Sequence, residues 1–326
     1  MIIKSETKIT GVGGYVPKDI LTNYDLQKLV DTSDEWIIRR TGIIKRHISS
    51  ETENSSNLAI KAIENLIEVY GSDISDVDMI VVSTTSPDHI VPNVASLIQG
   101  HFGIRKTGVM DINVACTGYV YALSVANAFI SIGQNKKILV VATEAISKLI
   151  DYTDRNTCIL FGDGASAFLL EKTDGKGAFI ATNFETNGSG ADSIYCSNHS
   201  KNIGESSVIK EHRIVQNGGE VYRYVMKNVV DGIKTLLETS QLSLSDIKWF
   251  VPHSANLRLI EGICKRLEYP IEKTLVSVTE FGNTSSASIP LAIWLAIKES
   301  KIATGDKILL YGFGGGLTHG GIIIEW

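Results

Sequence analysis

Asp76-Val-Asp-Met-Ile-Val-Val82 and Asp246-Ile-Lys-Trp-Phe-Val-Pro252 are two copies of one stretch, an aspartate and a short polar lead followed by β-formers. Lys137-Ile-Leu-Val-Val141 and Lys307-Ile-Leu-Leu-Tyr311 repeat the relation, and each pair is offset by 170 residues. One offset shared by two anchors marks an internal duplication. In each half an amphipathic helical stretch, 57–69 or 221–238, precedes the first apolar run, and a second, 118–132 or 288–301, precedes the other. Such βαβ grammar predicts an α/β protein of two duplicated halves with largely parallel sheets under helices. The halves divide at 1–173 and 174–326. The second opens with about 174–216, rich in Gly, Ser and Asn and without a counterpart in the first, which reads as an inserted loop region over the site.

With 326 residues, 44% hydrophobic and 21% charged, the chain has ample material for a large core. A formal charge of −5 argues against nucleic acid as the main partner but leaves room for a local basic patch. The four cysteines, at 116, 158, 196 and 264, form no CxxC pair and no metal-ligand spacing, so neither a disulfide framework nor a metal site is expected. The N-terminal Met1-Ile-Ile-Lys-Ser-Glu-Thr-Lys8 lacks the apolar centre of a signal peptide, and no apolar run approaches the ~20 residues of a membrane span. A cytoplasmic protein is expected.

The repeat also places chemistry. Cys116 stands between the strand-like Gly108-Val-Met-Asp-Ile-Asn-Val114 and a helical run of small and apolar residues. A thiol there faces unsatisfied N–H groups and the positive end of a helix, which favour the thiolate; a free cysteine is otherwise a small buried hydrophobe. At the 170-residue offset Ser83 corresponds to His253 and Cys116 to Ser286, three residues past Asn283. Polar residues at matched strand and helix ends converge between the halves, where ligand sites of such folds lie. Taken singly, His253 reads equally as a structural hydrogen-bonder and Asn283 as a turn or N-cap residue. Together with a cysteine they form a thioester-handling set, because histidine and asparagine can donate to a developing oxyanion. Gly312-Phe-Gly-Gly-Gly316 fails as a dinucleotide fingerprint because Leu317 stands where the last Gly or Ala belongs. Gly162-Asp-Gly-Ala-Ser-Ala167 runs into a strand rather than a helix, and no glycine run is followed by a P-loop lysine. The 314–316 run suits a backbone N–H aimed at an oxyanion, or simply a tight turn.

Further stretches carry a resemblance over nearly the whole chain. Thr22-Asn-Tyr-Asp-Leu26, Val30-Asp-Thr-Ser-Asp-Glu-Trp-Ile37, Arg40-Thr-Gly-Ile43, Thr153-Asp-Arg155, Leu160-Phe-Gly-Asp-Gly164, Pro252-His253, Gly282-Asn-Thr-Ser285 and Gly314-Gly-Gly316 stand in one order and spacing. With Cys116 they make the chain resemble the β-ketoacyl-[acyl-carrier-protein] synthase III family. The resemblance implies a thiolase-like fold, a layered α/β/α/β/α core, and initiation of fatty acid biosynthesis by decarboxylative condensation of an acyl-coenzyme A starter with malonyl-acyl carrier protein. It implies Cys116, His253 and Asn283 as catalytic residues, with Gly315 at the oxyanion and Phe313 beside the condensing site. Coenzyme A would meet Trp36, Arg40 and Arg155; the carrier protein would meet Arg223, Arg258, Lys265 and Arg266. It implies a homodimer, no metal, and no cofactor beyond coenzyme A as part of the substrate.

Two departures stand out. His253-Ser-Ala-Asn256 replaces the family's common His-Gln-Ala-Asn. Before Pro92, where the family often places a phenylalanine closing the partner subunit's acyl pocket, this chain has Val91, which leaves room for branched or longer starters. The competing readings are a thiolase-fold acyltransferase or condensing enzyme of secondary metabolism, and an inactive paralogue acting as a binding protein. The retained Asn283 favours condensation over simple acyl transfer, and the intact set Cys116, His253 and Asn283 argues against inactivity.

Overall fold

A computed structural model describes residues 4–326; Met1–Ile3, part of the N-terminal stretch read above, lie outside the described residues. Two mixed sheets carry the fold. The first has the order β1 (Thr7–Tyr15), β5 (Gly164–Lys172), β4 (Lys137–Glu144), β2 (Met79–Ser83), β3 (Gly108–Ile112). The second has the order β7 (Trp249–Pro252), β8 (Lys307–Gly314), β9 (Thr318–Glu325), β6 (Phe179–Thr186). Position by position β6, β9, β8 and β7 repeat β1, β5, β4 and β2. A partner for β3 is reduced to a parallel bridge between Phe250 and Thr274, with Leu275 N–H on Phe250 C=O at 2.8 Å.

Two sequence expectations change. The sheets are not largely parallel: β2 runs parallel to β3 and β4, and β7 to β8, but β4–β5, β5–β1, β8–β9 and β9–β6 are antiparallel. The cause is in the connections. The turn Gly315–Leu317 between β8 and β9 is far too short for a crossover, so the chain must return antiparallel. Likewise, the segment assigned to loops from about 174 begins with a core strand, β6, and the irregular part starts only after Thr186.

Period-2 alternation in the strands sorts three apolar layers. Ile138 and Val140 of β4, with Ile308 and Leu310 of β8, point into a central core shared with helices α3 (Gly118–Ser131) and α6 (Ser288–Lys298). Leu139 and Val141 point the other way, onto helix α2 (Ser55–Tyr70). Leu309 and Tyr311 face α4 (Val230–Ser240) and α5 (Leu257–Leu267). Both sheets are therefore buried on both faces, which accounts for the near-continuous apolar strands and for five layers, α/β/α/β/α. In α2, Leu58, Ala59, Ala62, Ile63 and Leu66 form the buried stripe, and Gly71, at φ 62°, ends the helix with its N–H on Ile67 C=O at 2.8 Å. A Cβ on Gly13 of β1 would sit 2.2 Å from Ala62 C=O, so glycine is what lets α2 lie on the sheet. Fully burying a side chain such as Leu66 contributes about 1.5–3 kcal/mol. Pro290 falls in the first turn of α6, where no intrahelical N–H is needed.

Candidate active site

The two central helices start at mirrored turns. Ala115–Thr117 leads into α3 and Ser285–Ala287 into α6, and each turn opens on a residue with positive φ, Ala115 at 44° and Ser285 at 48°. A left-handed non-glycine residue costs about 1–2 kcal/mol, so the same local strain is held in both halves. Next to each stands the residue matched by the repeat, Cys116 in one and Ser286 in the other.

Cys116 is 6% exposed. Ser285 Oγ donates to its Sγ at 3.5 Å, and β8 passes so close that a Cβ on Gly314 would lie 2.8 Å from Cys116 Cβ and 3.1 Å from Sγ. Burial pushes the thiol up to about 12; the Ser285 hydroxyl opposes this and the nearby Glu144 carboxylate adds to it. The helix end, worth about 1 kcal/mol or under one pKa unit, does not offset that desolvation. The resting group is therefore a thiol, where the sequence position alone favoured thiolate.

His253 follows β7, its N–H held by Tyr311 C=O at 2.8 Å and its ring edge-on to Phe313 at 5.2 Å. Its Nδ1 lies 2.7 Å from Ser288 Oγ, and that oxygen already accepts from Ser254 N–H at 3.1 Å. Among the described residues Nδ1 is the one acceptor within reach of the buried Ser288 hydroxyl proton, and giving that proton its acceptor assigns the ring's own proton to Nε2. Burial lowers the imidazole to about 3, so it is neutral. Asn283 is fixed by its backbone, N–H to Leu160 C=O at 2.8 Å and C=O from Gly162 N–H at 3.1 Å. Its Oδ1 accepts from Ser285 N–H at 2.9 Å, which leaves the NH₂ side of the amide to face the cavity. Histidine and asparagine are thus both presented as hydrogen-bond donors.

Cys116, His253, Asn283 and Phe313 line one cavity of about 1020 Å³ that runs outward past Trp36, Arg40, Arg155 and Arg258. A second cavity, of about 500 Å³, meets the first at Cys116 and is lined by Ile146, Phe161, Ile194, Ile214, Ser285 and Gly315, among others. The thiol stands at the junction of a wide entrance and a smaller chamber. The guanidinium carbons of Arg155 and Arg40 lie 5.1 and 5.7 Å from the Trp36 ring, each within cation–π range of the indole.

Other expected residues stand apart. Val91 is 83% exposed and lines neither cavity of its own chain, although His89 and Ile90 border the smaller one. Arg258 pairs with Glu261 at 2.8 Å and donates to the carbonyls of Ile38 and Arg39 at 3.2 and 2.9 Å, fastening α5 to the end of helix α1 (Asp34–Thr41). Arg223 pairs with Glu220, and Lys265 and Arg266 lie exposed in the last turn of α5. Ser288, Ser285 and the chamber residues Ile146, Phe161, Ile194 and Ile214 were not singled out by the sequence. The serines lie within or just beyond the quoted Asn283 motif, but the chamber residues come from four separate segments and share no local pattern. Among the described residues all four cysteines are free, no acid, histidine and cysteine cluster could hold a metal ion, and no helix is long and apolar enough to cross a membrane.

The profile for 3-oxoacyl-[acyl-carrier-protein] synthase III, another name for the β-ketoacyl enzyme, matches residues 110–188, and the profile for its C-terminal part matches 237–326. A β-ketoacyl-[acyl-carrier-protein] synthase III of Bacillus anthracis is 53% identical over 324 residues, covering 99% of each chain. The chain belongs to the β-ketoacyl-[acyl-carrier-protein] synthase III family. The solved synthase III of Thermus thermophilus, 38% identical, superposes with a TM-score of 0.93 over 98% of both chains. The priming β-ketosynthase of the R1128 polyketide pathway, 31% identical, superposes with a TM-score of 0.89 over 100% of this chain and 98% of its own. Family membership makes this chain a thiolase-fold acyltransferase, a condensing enzyme of the kind that initiates fatty acid biosynthesis.

Proposed function

We propose that the chain condenses an acyl-coenzyme A starter with malonyl-acyl carrier protein, with Cys116, His253 and Asn283 as its catalytic residues. Cys116 Sγ attacks the starter thioester. The thiol proton leaves with the departing coenzyme A, and the backbone N–H groups of Cys116 and Gly315 stabilise the oxyanion. Malonyl-carrier then takes the same entrance. His253 Nε2–H and the Asn283 NH₂ donate to its thioester oxygen, so that loss of carbon dioxide leaves a stabilised enolate. That carbanion attacks the acyl-Cys116 carbonyl, expels the thiolate and releases the β-ketoacyl product. Phe313, packed on His253, keeps the malonyl carboxylate in dry surroundings that favour its departure.

The observation that carries this reading is the pair of donors. A neutral histidine protonated on Nε2 and an asparagine with its oxygen already occupied suit an enolate, and would not suit a general base for hydrolysis. Trp36, Arg40 and Arg155 stand where coenzyme A would stack and place its phosphates. Arg223, Arg258, Lys265 and Arg266 supply a basic rim for an acidic carrier, speeding encounter more than chemistry; Arg258 does so as part of its structural bonds. The reaction draws on no metal and no further cofactor. In this reading the enzyme is a cytoplasmic homodimer, and the exposed Val91 closes the partner's acyl chamber less completely than phenylalanine would, admitting branched or longer starters.

Intact-mass measurement after incubation with acetyl-, isobutyryl- and longer acyl-coenzyme A, followed by malonyl-carrier, tests the proposal. An adduct on Cys116 that malonyl-carrier discharges as a β-ketoacyl product supports it. A stable adduct that is never discharged would point to an acyl transferase, and strong preference for acetyl would remove the Val91 argument. The likeness to a priming β-ketosynthase favours a second reading, starter condensation for a secondary metabolite; the starter panel separates the two.

A further inference from the structure

The duplication brings two helix N-termini together, and they are treated differently. At the start of α6, Glu144 at the end of β4 is fully buried and gathers donors from two segments. Thr85 N–H and Oγ1 reach it at 3.0 and 3.2 Å, Ser86 Oγ at 2.8 Å, Ser286 Oγ at 2.7 Å and Ser286 N–H at 3.4 Å. At the start of α3 the residue matched to Glu144 by the repeat is Gly314, and the space its missing side chain leaves is filled by Cys116. One helix end has an anion of its own and the other faces the thiol.

We propose that Glu144 is the resident anion of the second helix end and a positioning residue: by tethering the Ser285–Ala287 turn it fixes the Asn283 amide and the Ser285 hydroxyl against Cys116. The turn carries both contacts. Ser286 is held by the carboxylate, while its neighbour Ser285 gives its N–H to Asn283 Oδ1 and its hydroxyl to Cys116 Sγ. Loosening Ser286 therefore loosens the donor beneath the enolate oxygen. The inference rests on the roles proposed above for Cys116 and Asn283.

The carboxylate also acts at a distance, because its charge opposes ionisation of the thiol. Of the other ionisable groups on elements packed against the Ala115–Thr117 turn, Tyr311 and His319 bond each other at 2.8 Å, burial raises the phenols of Tyr119 and Tyr121, Lys307 opens β8 at its far end, and Glu325 closes β9 there, paired with Lys176 at 2.8 Å. His253, across the cavity, is neutral. Burial raises the Glu144 carboxyl and its serine and Thr85 donors pull it back down, and in its ionised form it adds to the burial that holds the thiol up. A group that only held the fold together would, on removal, lower alkylation and catalysis alike; a charged tether should move them in opposite directions.

Glu144→Gln tests this in the full chain. Alkylation of Cys116 by iodoacetamide, followed by intact mass across pH, should shift to lower pH and run about tenfold faster near neutrality. Decarboxylation of malonyl-carrier should fall at least about tenfold, with partial recovery in Glu144→Asp. An unchanged alkylation profile in folded Glu144→Gln, or a parallel fall of alkylation and decarboxylation, would overturn the proposal. If Glu144→Gln does not fold, Ser286→Ala keeps the charge and removes the tether: decarboxylation should fall while alkylation gains no shift to lower pH, and unimpaired decarboxylation overturns the proposal. Alkylation needs no substrate, so it reports on Glu144 even if the condensation reading fails.

Discussion

His253 Nδ1 lies 2.7 Å from Ser288 Oγ, and through that one contact the first residue of helix α6 offers the ring a hydroxyl donor, which assigns the imidazole proton to Nε2. Ser288 takes the position that Gly118 holds in the first half, where a Cβ would clash with Ser83 Oγ at 2.1 Å. The repeat has thus been specialised at matching positions: Ser83 against glycine in one half, His253 against serine in the other.

Ser288→Ala should leave the fold intact but free the ring to carry its proton on Nδ1. It also strands Ser254 N–H, a buried donor whose loss of partner costs about 1–3 kcal/mol. Malonyl-carrier decarboxylation should fall about tenfold or more, while acylation of Cys116, followed by intact mass, changes little. Equal loss of both steps would show that Ser288 is only structural.

Gly314→Ala places a methyl group 2.8 Å from Cys116 Cβ. Acylation by acyl-coenzyme A and alkylation by iodoacetamide should both drop by more than about a hundredfold, since a misplaced reacting atom loses its attack geometry. Circular dichroism and melting temperature separate this from unfolding.

Trp36→Ala should raise the KM for acyl-coenzyme A about tenfold, with kcat and stability almost unchanged, because the indole is only half-buried and sits at the cavity entrance. A short acyl thioester lacking the nucleotide should acylate wild type and variant at the same rate. A matching loss with the short thioester would remove Trp36 from nucleotide binding.

The imidazole of His253 is lowered from 6.5 to about 3 by burial. Its contribution to stability is therefore complete above pH about 6.5 and is lost as pH falls towards 3, since the unfolded chain binds the proton that the folded chain refuses. Chemical denaturation across this window should show a stability loss that His253→Gln lacks. Decarboxylation, by contrast, should show no break near pH 6.5 from this residue.

Local chemistry made the strands, the helices and the duplication legible, because alternation and helical periodicity are written in contiguous residues. Strand direction was not, since it depends on whether a connection crosses the sheet or turns back, as at Gly315–Leu317. The meeting of Cys116 with His253 and Asn283 was foreshadowed by the 170-residue offset, for matched strand and helix ends must converge if the halves pack face to face. The sequence by itself determined how the chain repeats and which residues are candidates for the chemistry. Only the tertiary structure decided their states. The thiol is protonated, the imidazole neutral with its proton on Nε2, and Glu144 ties one helix end while Gly314 leaves the other open. Each of these depends on burial and on hydrogen bonds between segments far apart in the chain, and desolvation exists only once both halves have closed around the site.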